Sequence, residues 1–403
     1  MKQKVSILGL GYIGLPTAVF LAKVNAFEVY GLDKSLLKLN QLKKNKLKLF
    51  EKPLNNLINK FIKTKKIKLK NTITPSDFFV ICVPTPIYLK KKQHKADLKF
   101  VNQAVDEILK VLKVGDTIIL ESTVPVGTSE QICKKIIDAG FKSEDINFAY
   151  CPERVLPGNI YKELINNDRV VGGINNKSKK IVSNFYKKFV KGKIHMCDAH
   201  TAEMCKLVEN SYRDTNIAFA NEISMICDDN KINTTELIKL ANKHPRVNIL
   251  NPGCGVGGHC IAIDPYFLIE KNPKKSNLIK TARKVNIYKT GWVEKKIESK
   301  IKKFKNKNKK TPEIAYLGLS YKPNSADLRG SPALEIAKKL NNKYKILFVD
   351  PHITKIKNLN IVNLNYAQKN ADLYFILVNH DTFKKNSQIK NLDKNKIINF
   401  DLK

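Results

Sequence analysis

The sequence predicts an α/β fold with two doubly wound parallel sheets, joined by a long central helix and a helical region. Three observations predict it. Strand-like and helix-like segments alternate over residues 5–154, helical periodicity runs without Gly or Pro over 201–230, and the alternation returns over 313–380. Because alternation of this kind is typical of parallel sheets, each end of the chain is predicted to form a Rossmann-like domain.

The N-terminal strands are predicted from short apolar runs that end in Gly, Pro or polar residues. They are VSILGLG (5–11), EVYGLD (28–33), DFFVICVPTP (77–86), DTIILEST (116–123) and INFAYCPER (146–154). Helices are predicted near 13–23 and 128–139. Residues 5–22 carry no charge and are flanked by lysines, but regularly spaced glycines interrupt them, which argues against a signal anchor. No other stretch reaches transmembrane length, so no membrane association is expected.

The central segment 201–230 is predicted to be one long helix or two in sequence, with more helix up to about Lys300. The lysine-rich residues 294–310 are predicted to be a solvated boundary. Beyond it, strands are predicted at 313–319, 345–350 and 371–380, and a helix at 331–340. The expected domains are therefore 1–198, 199–300 and 311–403.

The basic charge is diffuse. The net charge is +37, yet only six of the 73 basic residues are arginine, and the lysines are spread along the chain. A nucleic-acid binder usually concentrates Lys and Arg on one face, so nucleic acid is not an expected partner. The eight cysteines include no C-x-x-C pair, so no metal site is expected. Unpaired thiols favour a reducing, cytoplasmic location.

A dinucleotide fingerprint, Gly9-x-Gly11-x-x-Gly14, closes the first strand and opens the first helix. Its glycines allow a tight turn and a close approach of the backbone to a pyrophosphate. Asp33 ends the second strand 19 residues after Gly14, where a carboxylate accepts from a ribose 2′-OH and repels a 2′-phosphate. NAD is therefore the predicted cofactor. The residues predicted to bind it also include Tyr12, Ile13, Thr85 and Thr123.

A second glycine-rich segment, GCGVGGHCIAID (253–264), contains four glycines in six residues and then Cys260. Such a loop lets a ligand approach backbone N–H groups, and Gly257 is a candidate for this contact. A helix that started near Cys260 would favour the thiolate, with Asp264 one turn further on. The alternative is a buried cysteine after a structural turn. Lys206 and Asn210 are four residues apart in the long helical segment and so share a helix face.

Together these motifs resemble the UDP-glucose/GDP-mannose dehydrogenase family over nearly the whole chain. The matching segments are GLGYIGLP (9–16), ESTVPVGT (121–128), Pro-Glu-Arg (152–154), KLVEN (206–210), GVGGHC with Asp264, and YKPNSADLRGSP (321–332). Four further segments are similar to the branch of the family that oxidises UDP-N-acetyl-D-mannosamine. They are residues 150–159, 167–173, 201–222 and 244–253.

The resemblance implies an N-terminal NAD domain, a central helical dimerisation region and a C-terminal domain that binds UDP. It also implies residue roles. Cys260 would be the nucleophile, Lys206 would stabilise an oxyanion, Asn210 and Asp264 would activate water, and Thr123 and Glu153 would serve the reacting centre. Arg329 would reach the cofactor. The implied substrate-binding residues are Arg154, Val155, Lys206, Asn210, Arg213, His244, Arg246, Gly257, Tyr321 and Lys322.

The expected function is thus a two-step, NAD-dependent oxidation of a sugar C6 alcohol to a carboxylate through a thioester on Cys260, for cell-surface polysaccharide synthesis. A cysteine is needed because an aldehyde donates hydride poorly until a nucleophile adds to it. UDP-N-acetylglucosamine and UDP-glucose remain alternative substrates, and an inactive UDP-sugar binding protein is the non-enzyme alternative. The sequence departs from the family pattern at Gly330, where Glu is usual, and at Tyr321, where Phe is common.

Overall fold

The computed structural model describes residues 2–46, 52–90, 93–156, 158–393 and 395–402, which divide into two units. The first unit comprises Met1–Val208 and Tyr266–Lys271, and the second comprises Glu209–Pro265 and Asn272–Lys403. The three domains expected from the sequence, with boundaries near 198 and 300–311, stay a prediction.

The first unit is built on an eight-stranded sheet and a separate two-stranded hairpin. The strands are β1 (Gln3–Leu8), β2 (Phe27–Leu32), β3 (Ile67–Lys70), β4 (Phe78–Ile81), β5 (Ile87–Lys90), β6 (Gln93–Ala96), β7 (Thr117–Leu120), β8 (Asn147–Tyr150), β9 (Arg169–Gly173) and β10 (Ile194–Asp198). The order in the large sheet is β10-β9-β8-β7-β4-β1-β2-β3, and neighbouring strands run parallel, except that β8 and β9 are antiparallel. The antiparallel hairpin is formed by β5 and β6.

Helices cover both faces of this sheet, which is why its central strands are apolar at consecutive positions. All four residues of β4 are buried, and they divide between an apolar cluster on one face (Phe78, Val80) and a second cluster on the other (Phe79, Ile81). The helices are α1 (Gly14–Lys23), α2 (Leu36–Lys43), α3 (Lys52–Lys63), α4 (Lys99–Leu109), α5 (Thr128–Asp138), α6 (Ile160–Asn166) and α7 (Asn176–Lys187).

The central segment is one helix, α8 (Ala199–Asp229), rather than two in sequence. It is followed by α9 (Thr234–Ala241), α10 (Asp264–Lys271) and α11 (Asn277–Asn308). The last helix corrects the expectation that residues 294–310 form a boundary. The apolar residues Ile297 and Ile301 recur at helical spacing between the lysines and are buried, so the helix continues to Asn308.

The second unit contains a four-stranded parallel sheet whose strands are β11 (Ile314–Leu317), β12 (Ile346–Val349), β13 (Leu373–Ile376) and β14 (Ile397–Asn399). Their order in the sheet is β12-β11-β13-β14. Its helices are α12 (Pro332–Asn341), α13 (Leu364–Asn370), α14 (Asp381–Lys385) and α15 (Ser387–Lys390). The alternation predicted over 313–380 is therefore confirmed.

The two sheets share a construction at the end of their first strand. In the first sheet, a carboxylate oxygen of Asp33 accepts from the Leu10 N–H at 3.1 Å. In the second, a carboxylate oxygen of Asp350 accepts from the Leu319 N–H at 2.9 Å. The basic side chains beside these carboxylates differ, since Lys38 Nζ lies 2.7 Å from Asp33, whereas His380 Nε2 lies 3.3 Å from Asp350.

No helix in the described parts of the chain combines the length and the apolar character that a membrane crossing requires. Within the same residues, no group of three or more His, Cys, Asp or Glu side chains is arranged to hold a metal ion.

Candidate active site

In the glycine-rich turn after β1, contacts within the chain require glycine at two of the three glycine positions. Gly9 has a φ of +98°, and a Cβ there would lie 2.6 Å from the carbonyl oxygen of Cys82. A Cβ on Gly14 would lie 2.0 Å from the Gly9 carbonyl oxygen, so larger residues are excluded at both positions. A Cβ on Gly11 would meet no described atom within 4 Å. The open side of the turn is therefore at Gly11, beside the start of α1, where a diphosphate fits.

Asp33 follows β2, and its carboxylate is integrated in this turn. One oxygen accepts from the Leu10 N–H at 3.1 Å and from Lys38 Nζ at 2.7 Å, and the other accepts from the Ser35 N–H at 3.0 Å. The Asp33 side chain is still 12% exposed. Its geometry fits the ribose 2′-OH of an adenosine, which a carboxylate at this strand end recognises in dinucleotide-binding folds.

The other residues predicted on the cofactor side follow strands of the same sheet or lead into α1. Tyr12 and Ile13 precede α1, Thr85 follows β4, and Thr123 follows β7; all four are partly buried. Ligands of open α/β sheets bind outside the carboxyl ends of the strands, so the placement fits NAD. The individual contacts stay predictions.

We expect NAD+ to be used far better than NADP+, and Asp33→Ser to erode that preference. The carboxylate repels a 2′-phosphate, and its removal leaves the Lys38 ammonium, which now pairs with it, to bind the phosphate instead. The ratio of kcat/KM for NAD+ over NADP+ should fall roughly 100-fold, the equivalent of about 3 kcal/mol for charge-assisted contacts.

The matched double variant Asp33→Ser/Lys38→Met should lose the gain with NADP+ while keeping the loss with NAD+. Equal efficiency with both cofactors in the unchanged protein would contradict the role of Asp33.

Two residues predicted to be catalytic are in contact in the first unit. Lys206 Nζ donates to the backbone carbonyl of Glu153 at 2.7 Å. The Glu153 carboxylate is buried; one oxygen accepts from the Arg154 N–H at 2.7 Å and the other from Arg169 Nη2 at 3.0 Å. Both carboxylate oxygens are therefore engaged by the chain itself, which makes Glu153 a rigid support for Lys206.

A buried polar cluster beside Glu153 was not predicted from the sequence. The Arg169 guanidinium lies 3.9 Å from Glu121 and 4.6 Å above the ring of Tyr186. The hydroxyl of Tyr186 and the thiol of Cys82 both donate to Glu121, at 2.6 and 3.1 Å. Burial raises the pKa of Glu121, although the charge of Arg169 opposes this. One feature of the sequence could have indicated this cluster: Glu121 is an ionisable residue that directly follows β7, a strand whose residues are all buried.

The segment after Glu153 was predicted to contact the sugar nucleotide. Arg154 Nη1 donates to the Asp168 carbonyl at 3.2 Å, and Val155 packs against the apolar core of the first unit. Pro157 lies outside the described residues. Arg154 and Val155 thus lie shortly after β8, and their contacts with the sugar nucleotide stay predictions.

Cys260 lies in the second unit, at the end of the glycine-rich loop, and is exposed. The adjoining helix begins at Asp264, so Cys260 does not lie at a helix start, and the condition under which a helix would favour its thiolate is not met. Pro265 explains the later start, because proline favours the first turn of a helix. The Cys260 carbonyl accepts from the Asp264 N–H at 2.8 Å, so one turn of chain separates the thiol from the helix.

Asp264 and Asn210 are brought together in the second unit. Both are buried, and Asn210 Nδ2 donates to a carboxylate oxygen of Asp264. The amide fixes the orientation of the carboxylate one turn after Cys260. Arg213, one turn further along α8, is exposed. A paired, buried carboxylate one turn after an exposed thiol is an arrangement that can hold and polarise a water molecule.

The loop glycines have a structural reason within the chain. A Cβ on Gly257 would lie 2.4 Å from the carbonyl oxygen of Gly330, and a Cβ on Gly258 would lie 2.8 Å from the ring of Tyr321. Gly258 and Gly330 also have positive φ, at +85° and +58°. The loop therefore packs directly on residues 321–330, and Gly330, which departs from the family pattern, occupies a left-handed conformation that favours glycine.

The residues predicted on the nucleotide side are partly buried or exposed. Arg329 Nε donates to both oxygens of Asp327, at 2.9 and 3.1 Å, so its guanidinium is already oriented. Burial alone would raise the pKa of Asp327, but the bonds from Arg329 outweigh it and lower that pKa. Tyr321 and Lys322 are partly buried. His244 and Arg246 are exposed on the segment after α9.

Comparison with known proteins covers nearly the whole chain. The NAD binding, central and UDP binding domains of the UDP-glucose/GDP-mannose dehydrogenase family match residues 3–190, 200–288 and 315–403. A UDP-N-acetyl-D-mannosamine dehydrogenase from Campylobacter jejuni is 45% identical over 94% of this chain and 96% of its own. An NDP-N-acetyl-D-galactosaminuronic acid dehydrogenase from Ralstonia nicotianae is 42% identical over 95% and 92%.

A solved structure supports the same conclusion. The UDP-D-ManNAc dehydrogenase from Pyrococcus horikoshii is 33% identical and superposes with a TM-score of 0.88, covering 99% of this chain and 95% of its own. The predicted α/β fold, the NAD cofactor and the family resemblance are thereby confirmed. The chain belongs to the UDP-glucose/GDP-mannose dehydrogenase family and is an NAD-dependent oxidoreductase that acts on a UDP-sugar.

Proposed function

We propose that the protein oxidises UDP-N-acetyl-D-mannosamine at C6 to UDP-N-acetyl-D-mannosaminuronate, through a thioester on Cys260. The observation that carries the proposal is the exposed thiol of Cys260, one turn before a buried carboxylate that is fixed by Asn210. The similarity to UDP-N-acetyl-D-mannosamine dehydrogenases supports the choice of sugar. The uronate product would serve cell-surface polysaccharide synthesis.

The oxidation at C6 has two stages: the alcohol first loses a hydride and its hydroxyl proton to become an aldehyde, and Cys260 acts in the second stage. Bound NAD+ supplies the hydride acceptor, and two are consumed for each sugar. At the aldehyde stage the Cys260 thiolate forms a C–S bond to C6, and the carbonyl oxygen takes up a proton. When C6 then loses the second hydride, its oxygen releases that proton, so C6 becomes a thioester, and water adds to it. The C–S bond then breaks, the thiol recovers its proton, and the carboxylate leaves.

The remaining residues are proposed to act on charge and on water. Lys206 is held by the Glu153 carbonyl, and we assign it to stabilise the oxyanion at C6. Asp264, oriented by Asn210, is assigned to hold and activate the hydrolytic water. Thr123 and Glu153 are assigned to the reacting centre. Because both Glu153 oxygens are already bonded, a supporting role is favoured for Glu153 over proton abstraction.

Recognition of the nucleotide sugar is proposed for cationic and polar residues, because a diphosphate needs several donors. Arg329 is assigned to the cofactor. The proposed substrate-binding residues are Arg154, Val155, Lys206, Asn210, Arg213, His244, Arg246, Gly257, Tyr321 and Lys322. The dependence on a reduced thiol favours a cytoplasmic location.

The proposal is tested by NADH formation with a panel of nucleotide sugars. UDP-N-acetyl-D-mannosamine should give the highest kcat/KM, with two NADH per sugar and no released aldehyde. UDP-N-acetyl-D-glucosamine should be much poorer. UDP-glucose should be almost inert, by about 10⁴-fold, because buried groups that bind the acetamido group would be left without partners.

The panel also separates the alternatives. If a sugar of the galacto series is the best substrate, the protein resembles the Ralstonia relative in its specificity. If UDP-glucose is the best substrate, the sugar assignment is refuted while the mechanism stands. If no sugar reduces NAD+ although UDP-sugars bind, the protein acts as a binding protein.

We further propose a homodimer that forms through α8. Tyr212, Phe219 and Ile226 recur every seven residues along this helix, and each is at least 50% exposed. Seven-residue spacing aligns them on one face, and burial of large side chains drives association.

Light scattering should give twice the chain mass, and Phe219→Glu/Ile226→Glu should give a monomer. Leu37→Glu, which changes an exposed leucine on α2, should leave the mass unchanged; a monomeric unchanged protein would refute the dimer.

A further inference from the structure

A row of polar side chains lies buried in the second unit, between α11 and the part of α8 that follows Val208. The row comprises Asp214, Asn221 and Ser224 on α8, and Arg283, Asn286, Lys289 and Thr290 on α11. Buried polar groups are retained at a cost in desolvation, so their directional hydrogen bonds call for an explanation.

The contacts form a continuous series of hydrogen bonds across the two helices. Arg283 Nη1 donates to Asp214 at 2.6 Å, and Asn286 Nδ2 donates to the same carboxylate oxygen at 2.8 Å. Asn286 Oδ1 in turn accepts from Asn221 Nδ2 at 2.9 Å. The ion pair thus orients the Asn286 amide, and the Asn286 amide orients that of Asn221.

This series of hydrogen bonds ends on the backbone of the glycine-rich loop. Asn221 Oδ1 accepts from the Gly253 N–H at 2.9 Å, and Thr290 Oγ1 donates to the Cys254 carbonyl at 2.9 Å. The next residue is equally constrained, because a Cβ on Gly255 would lie 2.5 Å from Thr290 Oγ1. Three successive loop residues are therefore fixed by α8 and α11, five to seven positions before Cys260.

We propose that Asp214, Arg283, Asn286, Asn221 and Thr290 are positioning residues that fix the 253–258 loop and, through it, the thiol of Cys260. The inference rests on the nucleophilic role proposed for Cys260. Arg283, the one arginine outside the sequence motifs, thereby gains a function, because its planar guanidinium can hold Asp214 without a solvent contact. Hydrophobic residues would join the helices but would leave the loop backbone without its partners.

The test compares loop anchors with a neighbour in the same row. Asn221→Leu removes the bond to Gly253 with little change in volume, and Thr290→Val removes the bond to Cys254 almost isosterically. The control is Ser224→Ala, because Ser224 bonds to Lys289 and to the Asn221 carbonyl but to no loop residue. Hydrogen exchange of the 253–260 peptide, kcat, and KM for NAD+ are measured on each full-length variant.

Both anchor variants should exchange the loop amides at least about tenfold faster than the unchanged protein. Their kcat should fall about 10- to 100-fold, since a displacement near 1 Å at a reacting group has effects of that size. KM for NAD+ should stay within about twofold, and Ser224→Ala should change none of the three. A purely structural role would predict equal losses in all three variants, and that result, or unchanged exchange in both anchors, would overturn the proposal.

Hydrogen exchange keeps the inference separate from the proposed reaction, since it does not depend on turnover. If Cys260→Ser retained activity but the anchor variants still loosened the loop, the reaction would be refuted and the loop attachment would stand. If Cys260→Ser were inactive and the loop unaffected, the reverse would hold.

Discussion

The Cys260→Ser variant is expected to lose nearly all turnover, at least about 10³-fold, while it still binds NAD+ and the UDP-sugar. A serine hydroxyl ionises far less readily than a thiol, so it adds poorly to an aldehyde, and an ester is hydrolysed more slowly than a thioester. Because Cys260 is exposed and lies at the end of its loop, the exchange of sulfur for oxygen should leave the fold intact. Steady-state NADH formation and equilibrium binding of both ligands measure the two effects.

Cys197→Ser is the matched control. Cys197 lies in β10, is partly exposed, and belongs to no motif of the site, so its variant should keep activity within about twofold. Rapid mixing of Cys260→Ser should still show released aldehyde or a first hydride transfer. Turnover near that of the unchanged protein would mean that Cys260 is structural.

The second large effect is expected from Arg169→Leu, which should lower the free energy of unfolding by roughly 3–5 kcal/mol at neutral pH. The guanidinium is buried between the carboxylates of Glu121 and Glu153, and its removal leaves two buried charges without a cation. The loss should be smaller in acid. Burial holds the pKa of Glu121 above its usual value, and the loss of Arg169 removes a contribution that lowers it.

The direction of the pH dependence follows from that raised pKa. Protonated Glu121 is tolerated in the interior, so the stability of the variant is retained below the unfolded-state pKa. It is lost as the pH rises through the folded-state pKa. Urea unfolding of the variant and the unchanged protein between pH 4 and 8 should therefore show a deficit that widens as pH increases.

Glu121→Gln on the Arg169→Leu background provides the internal control. It removes the carboxylate whose charge is no longer balanced, so it should restore part of the lost stability and reduce the dependence on pH. A deficit that is the same at every pH, or no recovery in the double variant, would contradict the electrostatic origin of the effect.

Local patterns predicted the strands that have apolar cores and glycine or proline ends, as the positions of β1, β2 and β4 show. They overran the strand ends, because the apolar residues of the ICVPTP turn continue beyond the last ladder pair at Ile81. The hairpin strand β6 was missed, since QHKA has no alternating apolar pattern. The antiparallel pairing of β8 with β9 was also missed, because pairing direction depends on the path of the chain between strands.

The candidate site likewise contains residues that local spacing identifies and residues that only the folded chain brings together. Its motif residues were recognisable because their spacing is local, as with Gly9 and Asp33. Arg169 and Glu121 are 48 positions apart and interact only in the folded chain, so no spacing rule identifies them. Asn221 and Asn286 are separated by 65 positions and resemble the many surface asparagines until their burial is known.

The carboxylates that follow β2 and β12 differ in their exposure to solvent, and this difference bears on how the coenzyme is exchanged during the reaction. The side chain of Asp350 is fully buried, engaged by Leu319 and next to His380, whereas that of Asp33 remains 12% exposed. Of these two carboxylates, Asp33 is therefore the one that can reach a ribose from solvent. In the proposed reaction, which consumes two NAD+ per sugar, the first NADH therefore has to leave the site beside Asp33 before the second NAD+ binds there. The aldehyde has to remain bound during this exchange, and it escapes only if it dissociates faster than the coenzyme is exchanged and the second hydride is transferred.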